Sequence, residues 1–282
     1  MRLRDAIAQA SRRLERAGVP SPRYDAELLL ARVLAVPRGR LGLAQTPTAD
    51  QITAFDALIT RRERREPLQH ILGATGFRLV DVVVGPGVFV PRPETEELAG
   101  WAVGQLRRLR SPVAVDLCTG SGAIALALST EVPSARVYAV ELSATACDYA
   151  RRNLTGSPAG RRVDLRCDDI ADALGELDGT VDVVVANPPY IPTSAQATVE
   201  PEARDYDPPL ALWSGPDGLD GARRVEAAAA RLLRPGGRVG CEHADVQHET
   251  ALEVFARSGR WVEVTDMPDL TGRPRFVTAV RR

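Results

Sequence analysis

VAVDLCTGSGAIALAL, residues 113–128, decides the fold of this 282-residue chain. The apolar run from Val113 to Leu117 predicts a short buried strand, and AIALAL predicts the helix that follows it. Gly120 and Gly122 lie between the two, where they allow a tight turn and a close approach of the backbone to a ligand. A strand, a glycine turn and a helix in this order are typical of a doubly wound α/β sheet, in which ligands bind at the carboxyl ends of strands.

Four further strand-like runs alternate with helical stretches after this turn. They cover residues 135–140, 162–167, 181–186 and 237–242. Short apolar strands that alternate with helices predict a parallel sheet with helices on both faces. The segments WVEVTDM and RPRFVTAV near the end of the chain predict two more strands, paired as an antiparallel hairpin at the sheet edge.

The first 65 residues or so have a helical pattern instead. The first predicted helix carries apolar residues spaced four, three and four positions apart, namely Leu3, Ile7, Ala10 and Leu14. Ser21-Pro22 and Thr48 predict the starts of the next two helices. Residues 76–92 are β-branched and punctuated by glycine and proline, which predicts a hairpin linker. We therefore predict a helical domain over residues 1–75, a linker over residues 76–92 and an α/β domain over residues 93–282, which opens with a helix from about Pro93 to Leu109.

Composition limits the partners and the compartment. The formal net charge is -1, so no global positive field attracts nucleic acid and we expect no direct nucleic-acid partner. No apolar run reaches the roughly 18 residues of a membrane span, so we expect no membrane association. The four cysteines form no C-x-x-C pair, and such scattered thiols are typical of a reducing cytosol. The spacing of His243 and His248 suits no common zinc site, and we expect no metal.

A cluster of arginines follows the third predicted helix: Arg61, Arg62, Arg64 and Arg65. Cations at the end of a helix interact favourably with its dipole, so the cluster predicts a solvated helix terminus. The alternative is a contact with an acidic surface of a protein partner.

The turn after the first strand predicts a nucleotide-type site. Its pattern from Asp116 to Gly122 is D-x-C-x-G-x-G, which lacks the spacing of a dinucleotide fingerprint and is closer to the D/E-x-G-x-G-x-G of enzymes that use S-adenosylmethionine. Glu141 ends the next strand, where an acid can accept hydrogen bonds from both hydroxyls of an adenosine ribose. Asp168 and Asp169 end the third strand. Either can accept a hydrogen bond from the adenine amine, or act only as a helix cap.

The fourth strand ends in Asn187-Pro188-Pro189-Tyr190, which indicates the chemistry. Two prolines give a stiff, extended backbone with few donors. The Asn187 side-chain oxygen and the Pro188 carbonyl can each accept one hydrogen of an NH2 group, and Tyr190 offers a flat face for stacking. Two such acceptors free the delocalised lone pair of a planar nitrogen and stabilise the positive charge that develops as a methyl group arrives. The alternative is a proline-rich turn that only leaves the sheet.

These residues resemble the HemK/PrmC family of protein-glutamine methyltransferases, which methylate the glutamine of the Gly-Gly-Gln motif in class I peptide chain release factors. The resemblance covers nearly the whole chain, and its motifs are residues 67–73 with Phe77, 90–96, 116–122, 187–190, 210–212, 217–219 and 242–243 followed by Gln247. It implies an α/β fold with a seven-stranded Rossmann-like class I methyltransferase domain and an N-terminal helical bundle joined by a β-hairpin linker.

The resemblance also implies roles for individual residues. S-adenosylmethionine, which leaves as S-adenosylhomocysteine, is expected to bind Cys118, Thr119, Gly120, Ser121, Gly122, Glu141 and Asn187, with Asp168 or Asp169 near the adenine. The glutamine is expected to bind Asn187, Pro188, Pro189 and Tyr190, with Phe89 as a second wall of its slot and Arg92 in the segment over the site. Of these, Asn187, Pro188 and Tyr190 are the expected catalytic residues. Cys118 replaces the first glycine of the family motif, and Asp169 replaces a residue that is often aromatic.

The substrate admits alternatives. Pro-Arg-Pro-Glu-Thr-Glu at residues 91–96 favours release factors over the sister enzyme that methylates a ribosomal protein. A methyltransferase of the exocyclic amine of adenine in DNA or RNA would use the same Asn-Pro-Pro-Tyr. A binding protein that keeps the fold without catalysis is a further alternative. We expect a monomeric, cytoplasmic enzyme.

Overall fold

The structure, a computed structural model, describes residues 2–282. It contains two compact units, the first formed by residues up to 74 together with residues 200–206, and the second by residues 75–199 and 207–282. The chain therefore leaves the second unit for one short segment and then returns to it. Within the described residues, no helix has the length and apolar character that crossing a membrane requires.

The first unit is helical. Its helices are α1 (Leu3–Arg16), α2 (Pro22–Leu34), α3 (Ala49–Glu63), α4 (Leu68–Leu72) and, from the returning segment, α8 (Pro201–Tyr206). The predicted apolar face of α1 is confirmed, since Ala10 and Leu14 are buried in the core of this unit. Thr48 starts α3 as predicted, because its side chain accepts from the Gln51 backbone while the Gln51 side chain accepts from Thr48.

The arginine cluster at the end of α3 is not a solvated terminus throughout, so that prediction was wrong for Arg62. This side chain is 5% exposed. Its guanidinium donates to Asp25 on α2 at 2.7 Å and pairs with Glu202 on α8 at 2.8 Å. Arg65 pairs with the same Glu202 at 2.6 Å. The sequence could not indicate these acids as partners, because both lie far from the cluster along the chain.

The second unit is built on a seven-stranded sheet. Its strands are β3 (Val113–Leu117), β4 (Arg136–Glu141), β5 (Val163–Cys167), β6 (Val181–Ala186), β7 (Leu233–Glu242), β8 (Trp261–Pro268) and β9 (Pro274–Arg281). The order is β5-β4-β3-β6-β7-β9-β8, with β3 to β7 parallel and β9 antiparallel to both of its neighbours. The α/β fold and the antiparallel edge hairpin predicted from the sequence are confirmed. A separate two-stranded sheet pairs β1 (Ala74–Phe77) with β2 (Val80–Val83).

Helices cover both faces of the large sheet. They are α5 (Thr95–Leu106), α6 (Ala123–Glu131), α7 (Ala144–Thr155), α10 (Asp220–Leu232) and α11 (His248–Ala256). A further short helix, α9 (Pro209–Leu212), lies between β6 and α10 along the chain. Successive strand residues point to opposite faces, and they divide between two cores. Ala114 and Val183 pack with α5, α6 and α7. Val115 and Val184 pack with α10 and α11.

This topology brings the predicted site residues to one edge of the sheet. The carboxyl ends of the parallel strands lie side by side, so the turns after β3, β4, β5, β6 and β7 share that edge. Along the chain, β3, β4 and β5 extend the sheet toward one edge, and β6 and β7 then extend it toward the other edge. Ligands of doubly wound sheets bind in the crevice at such a switch point, which here lies between the glycine turn after β3 and Asn187 after β6.

Two cysteines that the sequence suggested as free thiols are bonded to each other. Cys147 near the start of α7 and Cys167 at the end of β5 form a disulfide, with their Cα atoms 6.0 Å apart. The pairing arises because β4 and β5 are adjacent parallel strands, so the helix that follows β4 begins near the end of β5. Cys118 and Cys241 are free.

Candidate active site at the carboxyl ends of β3, β4, β6 and β7

The turn after β3 is built from left-handed backbone. The φ angles of Cys118, Gly120 and Gly122 are 59°, 58° and 82°, values that glycine adopts without strain and that cost other residues energy. Gly122 is also the residue from which α6 begins. A Cβ on Gly122 would meet Ala150 of α7 at 3.4 Å, whereas a Cβ on Gly120 would meet no atom within 4 Å. The backbone at Gly120 is therefore open to a ligand.

Glu141 connects this turn to the turn after β4. Its Oε2 accepts from the Gly120 amide and its Oε1 accepts from the Ser143 amide, both at 2.8 Å. Burial raises the pKa of Glu141, and the backbone donors oppose that shift. A carboxylate has about four acceptor sites, so Glu141 can hold the glycine turn and still accept hydrogen bonds from a ligand.

Asp116 belongs to this site, although it was absent from the residues expected to bind the cofactor. Its Oδ2 accepts from the Thr119 hydroxyl at 2.5 Å and from the Ala125 amide at 3.0 Å. Burial raises the pKa of Asp116 to about 7. Within the described part of the chain, Asp116 Oδ1 and Ser121 Oγ are buried without a hydrogen-bond partner. Two such polar atoms beside the open backbone of Gly120 fit a polar ligand. The sequence could have indicated that Asp116 belongs to the site, since Asp116 is the first residue of the turn motif.

The two acids after β5 have different surroundings. Asp169 pairs with Arg224 of α10, which lowers the pKa of Asp169, and also accepts from the Ala171 amide at 2.9 Å. Asp168 is exposed, and its backbone amide donates to the Glu141 carbonyl at 3.0 Å. Asp168 is therefore the acid next to Glu141 on this edge, while the Asp169 carboxylate is engaged with Arg224.

The Asn-Pro-Pro-Tyr turn follows β6 directly. The Asn187 side chain donates through Nδ2 to Thr95 Oγ1 at 3.2 Å. Beyond the turn, the Ile191 amide donates to the Leu212 carbonyl and the Ser214 amide donates to the Ile191 carbonyl, each at 2.9 Å. The path of the turn is thus fixed on both sides, by β6 before it and by a strand-like bridge after it.

Tyr190 and Glu242 lie together at the end of the turn. The Tyr190 hydroxyl is 3.5 Å from Glu242 Oε1, and Gln247 Nε2 donates to the Tyr190 carbonyl at 2.9 Å. Burial raises the pKa of Tyr190, so its phenol stays neutral. Burial also raises the pKa of Glu242 to about 7. Sequence reasoning noted Glu242 without giving it a role. Its place at the end of β7, on the edge that the other site residues share, is the signal that could have identified it.

Phe89 and Arg92 form one structural group with Asp207. The Arg92 guanidinium lies over the Phe89 ring, 4.7 Å from its centroid, and donates to Asp207 Oδ2 at 2.6 Å. Burial raises the pKa of Asp207 to about 6, against the effect of Arg92. The charge of Arg92 also acts on Tyr190 and lowers its pKa. Arg92 therefore acts on Tyr190 through its charge, while its guanidinium contacts Phe89.

The histidines near β7 have structural contacts. His243 Nε2 lies 3.3 Å from Asp266 Oδ2 on β8, and His248 Nδ1 lies 2.5 Å from the same oxygen. Among residues 2–282, no group of three or more histidine, cysteine or acidic side chains is arranged to hold a metal ion.

Comparison with known proteins gives matches over the whole chain. The family model of the PrmC N-terminal domain matches residues 5–73, and the model of a methyltransferase domain matches residues 114–204. The release factor glutamine methyltransferase of Streptomyces coelicolor is 54% identical over 275 residues, which are 97% of this chain and 96% of that protein. That of Mycolicibacterium smegmatis is 50% identical over 282 residues, 99% and 98% of the two chains.

A solved structure shows the same fold at low sequence identity. The hMettl16 catalytic domain in complex with MAT2A 3'UTR hairpin 6 aligns with a TM-score of 0.57 and 14% identity, over 85% of each chain. At that identity the likeness concerns the fold alone.

Proposed function

Because this chain belongs to the release factor glutamine methyltransferase family, we propose that it methylates the glutamine of the Gly-Gly-Gln motif in class I peptide chain release factors. The methyl group passes from S-adenosylmethionine to the side-chain amide nitrogen, and S-adenosylhomocysteine is released. The observation that carries this proposal is the position of Asn187 at the end of β6, beside the glycine turn that ends β3. Because β3 and β6 are neighbouring parallel strands, this position supports a shared site for a carboxamide acceptor and a nucleotide-type ligand.

The proposed cofactor site consists of the turn from Cys118 to Gly122 together with Glu141. The open backbone at Gly120 and the unpartnered Ser121 hydroxyl support it. Asp168 is proposed near the adenine, because Asp169 is paired with Arg224. Bound S-adenosylmethionine supplies a methyl group on a positively charged sulfur, an activated donor. The protein consequently needs no strong base at the acceptor nitrogen.

The proposed role of the Asn-Pro-Pro-Tyr turn is to orient and polarise the glutamine amide. Asn187 Oδ1 and the Pro188 carbonyl each accept one hydrogen of the substrate NH2 group, and Pro189 keeps the backbone extended. These acceptors stabilise the charge that grows on nitrogen during transfer. Alignment for in-line transfer can contribute up to roughly 7–11 kcal/mol to catalysis. The neutral Tyr190 ring stacks on the flat amide.

Phe89 and Arg92 are proposed to close the glutamine slot from the other side. The stacking of the Arg92 guanidinium on the Phe89 ring and its ion pair with Asp207 support this, because both contacts hold Arg92 near Tyr190.

The helical unit, with the predicted boundary near residue 75, is proposed to bind the protein substrate. A translation factor as substrate puts the proposed activity in the cytoplasm, and we propose a monomer without a nucleic-acid partner.

The first experiment tests the substrate. The enzyme is incubated with labelled S-adenosylmethionine and either a class I release factor or a nucleic acid that contains adenine, and the products are analysed by mass spectrometry. We expect one methyl group on the glutamine of the Gly-Gly-Gln motif and none on adenine. Methyl groups on adenine without any on glutamine would refute the proposal. Absence of S-adenosylmethionine binding in calorimetry would instead favour a non-catalytic binding protein.

Asn187→Ala tests the residue that carries the proposal. We expect turnover on the release factor to fall by at least about 10²-fold, the order of loss seen when an oriented polar partner of the transition state is removed. The affinity for S-adenosylmethionine should stay within a few-fold of the original protein, because Glu141 and the glycine turn remain. Near-normal turnover would contradict the role given to Asn187.

A further inference from the structure

The Cys147–Cys167 disulfide joins the two chain segments that carry the proposed acidic ligands of the cofactor. Cys167 is the register partner of Glu141 in the pairing of β5 with β4, and Asp168 follows Cys167 directly. Cys147 Sγ lies 3.5 Å from the Glu141 carbonyl oxygen, which also accepts from the Asp168 amide at 3.0 Å. Both cysteines therefore adjoin the backbone that positions Glu141 and Asp168.

The strand that leads to Asp168 is weakly held apart from this bond. β5 lies at the edge of the sheet and has β4 as its one neighbouring strand. All five of its residues are exposed or half-buried. Segments with few buried contacts open locally at a lower free-energy cost than core strands. The bond to Cys147, which is 1% exposed, fastens the end of β5 to the interior and limits the movement of Asp168.

The two sulfurs differ in their access to solvent. Cys167 is exposed, whereas Cys147 is buried, so a thiolate from solution reaches Cys167 Sγ first. Arg151 Nη2 lies 3.5 Å from this sulfur and also pairs with Asp148 at 2.6 Å. Its positive charge favours an approaching thiolate. Cys147 lies in the first turn of the 12-residue helix α7, where the helix dipole stabilises a leaving thiolate.

We propose that Cys147 and Cys167 form a thiol–disulfide exchange site for a dithiol reductant, and that the bond between them strengthens the binding of S-adenosylmethionine. This inference rests on the proposed function, because that function makes the cofactor the ligand of Glu141 and Asp168. The proposed cytoplasmic location supports a reversible bond, since disulfides of cytosolic proteins are usually transient and often sense the redox state.

The exchange takes place in two steps. One thiolate of the dithiol attacks Cys167 Sγ, so that a mixed disulfide forms, the bond to Cys147 breaks and Cys147 leaves as a thiolate that takes up a proton. The second thiol of the reductant loses its proton, attacks its own partner sulfur in the mixed disulfide and releases Cys167 as a thiol. The protein gains two electrons and two protons, and the dithiol becomes a disulfide.

The first test compares the binding of S-adenosylmethionine to the two redox forms of the full chain. The protein is oxidised with diamide or reduced with dithiothreitol, and each form is measured by calorimetry. We expect the dissociation constant of the reduced form to be about two- to tenfold higher, the effect of losing one net hydrogen bond such as that from adenine to Asp168.

Two outcomes of this comparison would contradict the inference in different ways. Equal dissociation constants for the oxidised and reduced forms would overturn it and leave the proposed function intact. Absence of binding in both forms would refute the proposed function and the inference together. In methylation assays, reduction should raise KM for S-adenosylmethionine and change kcat little, because the Asn-Pro-Pro-Tyr turn after β6 is not joined to the disulfide.

Cys167→Ser separates the bond from other effects of the reductant. Because position 167 is exposed, we expect this variant to fold and to bind S-adenosylmethionine with the affinity of the reduced protein under both conditions. Cys241→Ala is the matched control, since it removes a free cysteine and keeps the disulfide; it should retain the difference between the redox forms. A difference that persists in Cys167→Ser would overturn the inference.

Mass spectrometry tests the exchange site without cofactor or substrate. After oxidation and alkylation of the folded protein, we expect a peptide pair linked through Cys147 and Cys167, which dithiothreitol converts to two alkylated cysteines. Free thiols at both positions after oxidation would overturn the inference. Arg151→Gln should slow this reduction about two- to fivefold, whereas Arg152→Gln, at an exposed position on the same helix, should not. Equal rates in these two variants would exclude Arg151 from the exchange site.

Discussion

Cys118 lies in a left-handed turn position that the family pattern gives to glycine. Its φ of 59° costs an L-residue roughly 1–2 kcal/mol. Its side chain packs against the core between the sheet and α10, and this contact offsets part of the cost. Burial raises the pKa of the thiol, which keeps it protonated. The structure therefore gives Cys118 a packing role at the cradle and not the role of a nucleophile.

Two substitutions at Cys118 should have different effects. Cys118→Gly removes the strain together with the packing, so we expect the free energy of unfolding to change by no more than about 1 kcal/mol. Cys118→Val places a β-branched residue in the same conformation and should lower stability by about 1–3 kcal/mol, with weaker binding of S-adenosylmethionine. Urea unfolding and calorimetry measure these effects. A valine variant as stable as the glycine variant would show that the backbone here is unstrained.

At the scale of elements, α10 supports the Asn-Pro-Pro-Tyr turn through a glycine. A Cβ on Gly221 would lie 2.5 Å from the Pro189 carbonyl oxygen and 3.0 Å from Pro188 Cβ. The Gly221 amide donates to Ser214 Oγ at 2.7 Å. The start of the helix therefore lies against the turn with no room for a side chain.

Gly221→Ala should consequently move the turn. We expect kcat for glutamine methylation to fall by at least about tenfold, because small displacements of oriented groups strongly reduce catalysis. The affinity for S-adenosylmethionine should change less. Gly104→Ala is the matched control, since Gly104 lies on an exposed part of α5, where an added Cβ would meet no atom within 4 Å. That variant should keep its activity and gain about 0.5–1 kcal/mol of stability. Equal activities of the two variants would show that the turn tolerates the displacement.

Local patterns predicted the elements well and their long-range partners poorly. The strands β3 and β6 and the capped start of α3 follow from periodicity and side-chain caps, which are properties of neighbouring residues. The burial of Arg62 depends on Asp25 and on Glu202, and Glu202 is reached only when the chain returns to the helical unit. Such ion pairs depend on tertiary structure, for which one sequence offers no periodic signal.

The same distinction applies to the site. Asn187 was predicted because the stiffness of two prolines is a local property. Thr95 was quoted in a motif without a role, since its contact with Asn187 requires α5 and the end of β6 to meet. The Cys147–Cys167 disulfide was missed for an equivalent reason, as it depends on the adjacency of β4 and β5.

At the scale of the whole molecule, buried acids are concentrated in the larger unit. Asp116, Asp207 and Glu242 are each less than 5% exposed. Burial raises their pKa values to about 7, about 6 and about 7. Burial of charge disfavours the ionised form, and at Asp207 it does so against the effect of Arg92. The larger unit therefore holds groups that are stable when neutral and become costly as they ionise.

The sign of the pH dependence follows from these shifts. Where the folded pKa exceeds the unfolded value, the folded state binds a proton that the unfolded chain has already released. The contribution of such a group to stability is complete below its unfolded pKa, which is 4.5 for the side chain of Glu242, and is lost as the pH rises through about 7. Without cofactor, the protein should therefore lose stability between pH 5 and pH 8 through this group.

Glu242→Gln isolates this contribution, because glutamine keeps nearly the same shape and does not ionise. We expect the midpoint of thermal unfolding of the variant to rise relative to that of the original protein as the pH increases from 5 to 8. Glu249→Gln, at an exposed position on α11, removes the same formal charge and serves as the control; it should follow the original protein across this range. Parallel curves for the original protein and Glu242→Gln would mean that Glu242 does not titrate here.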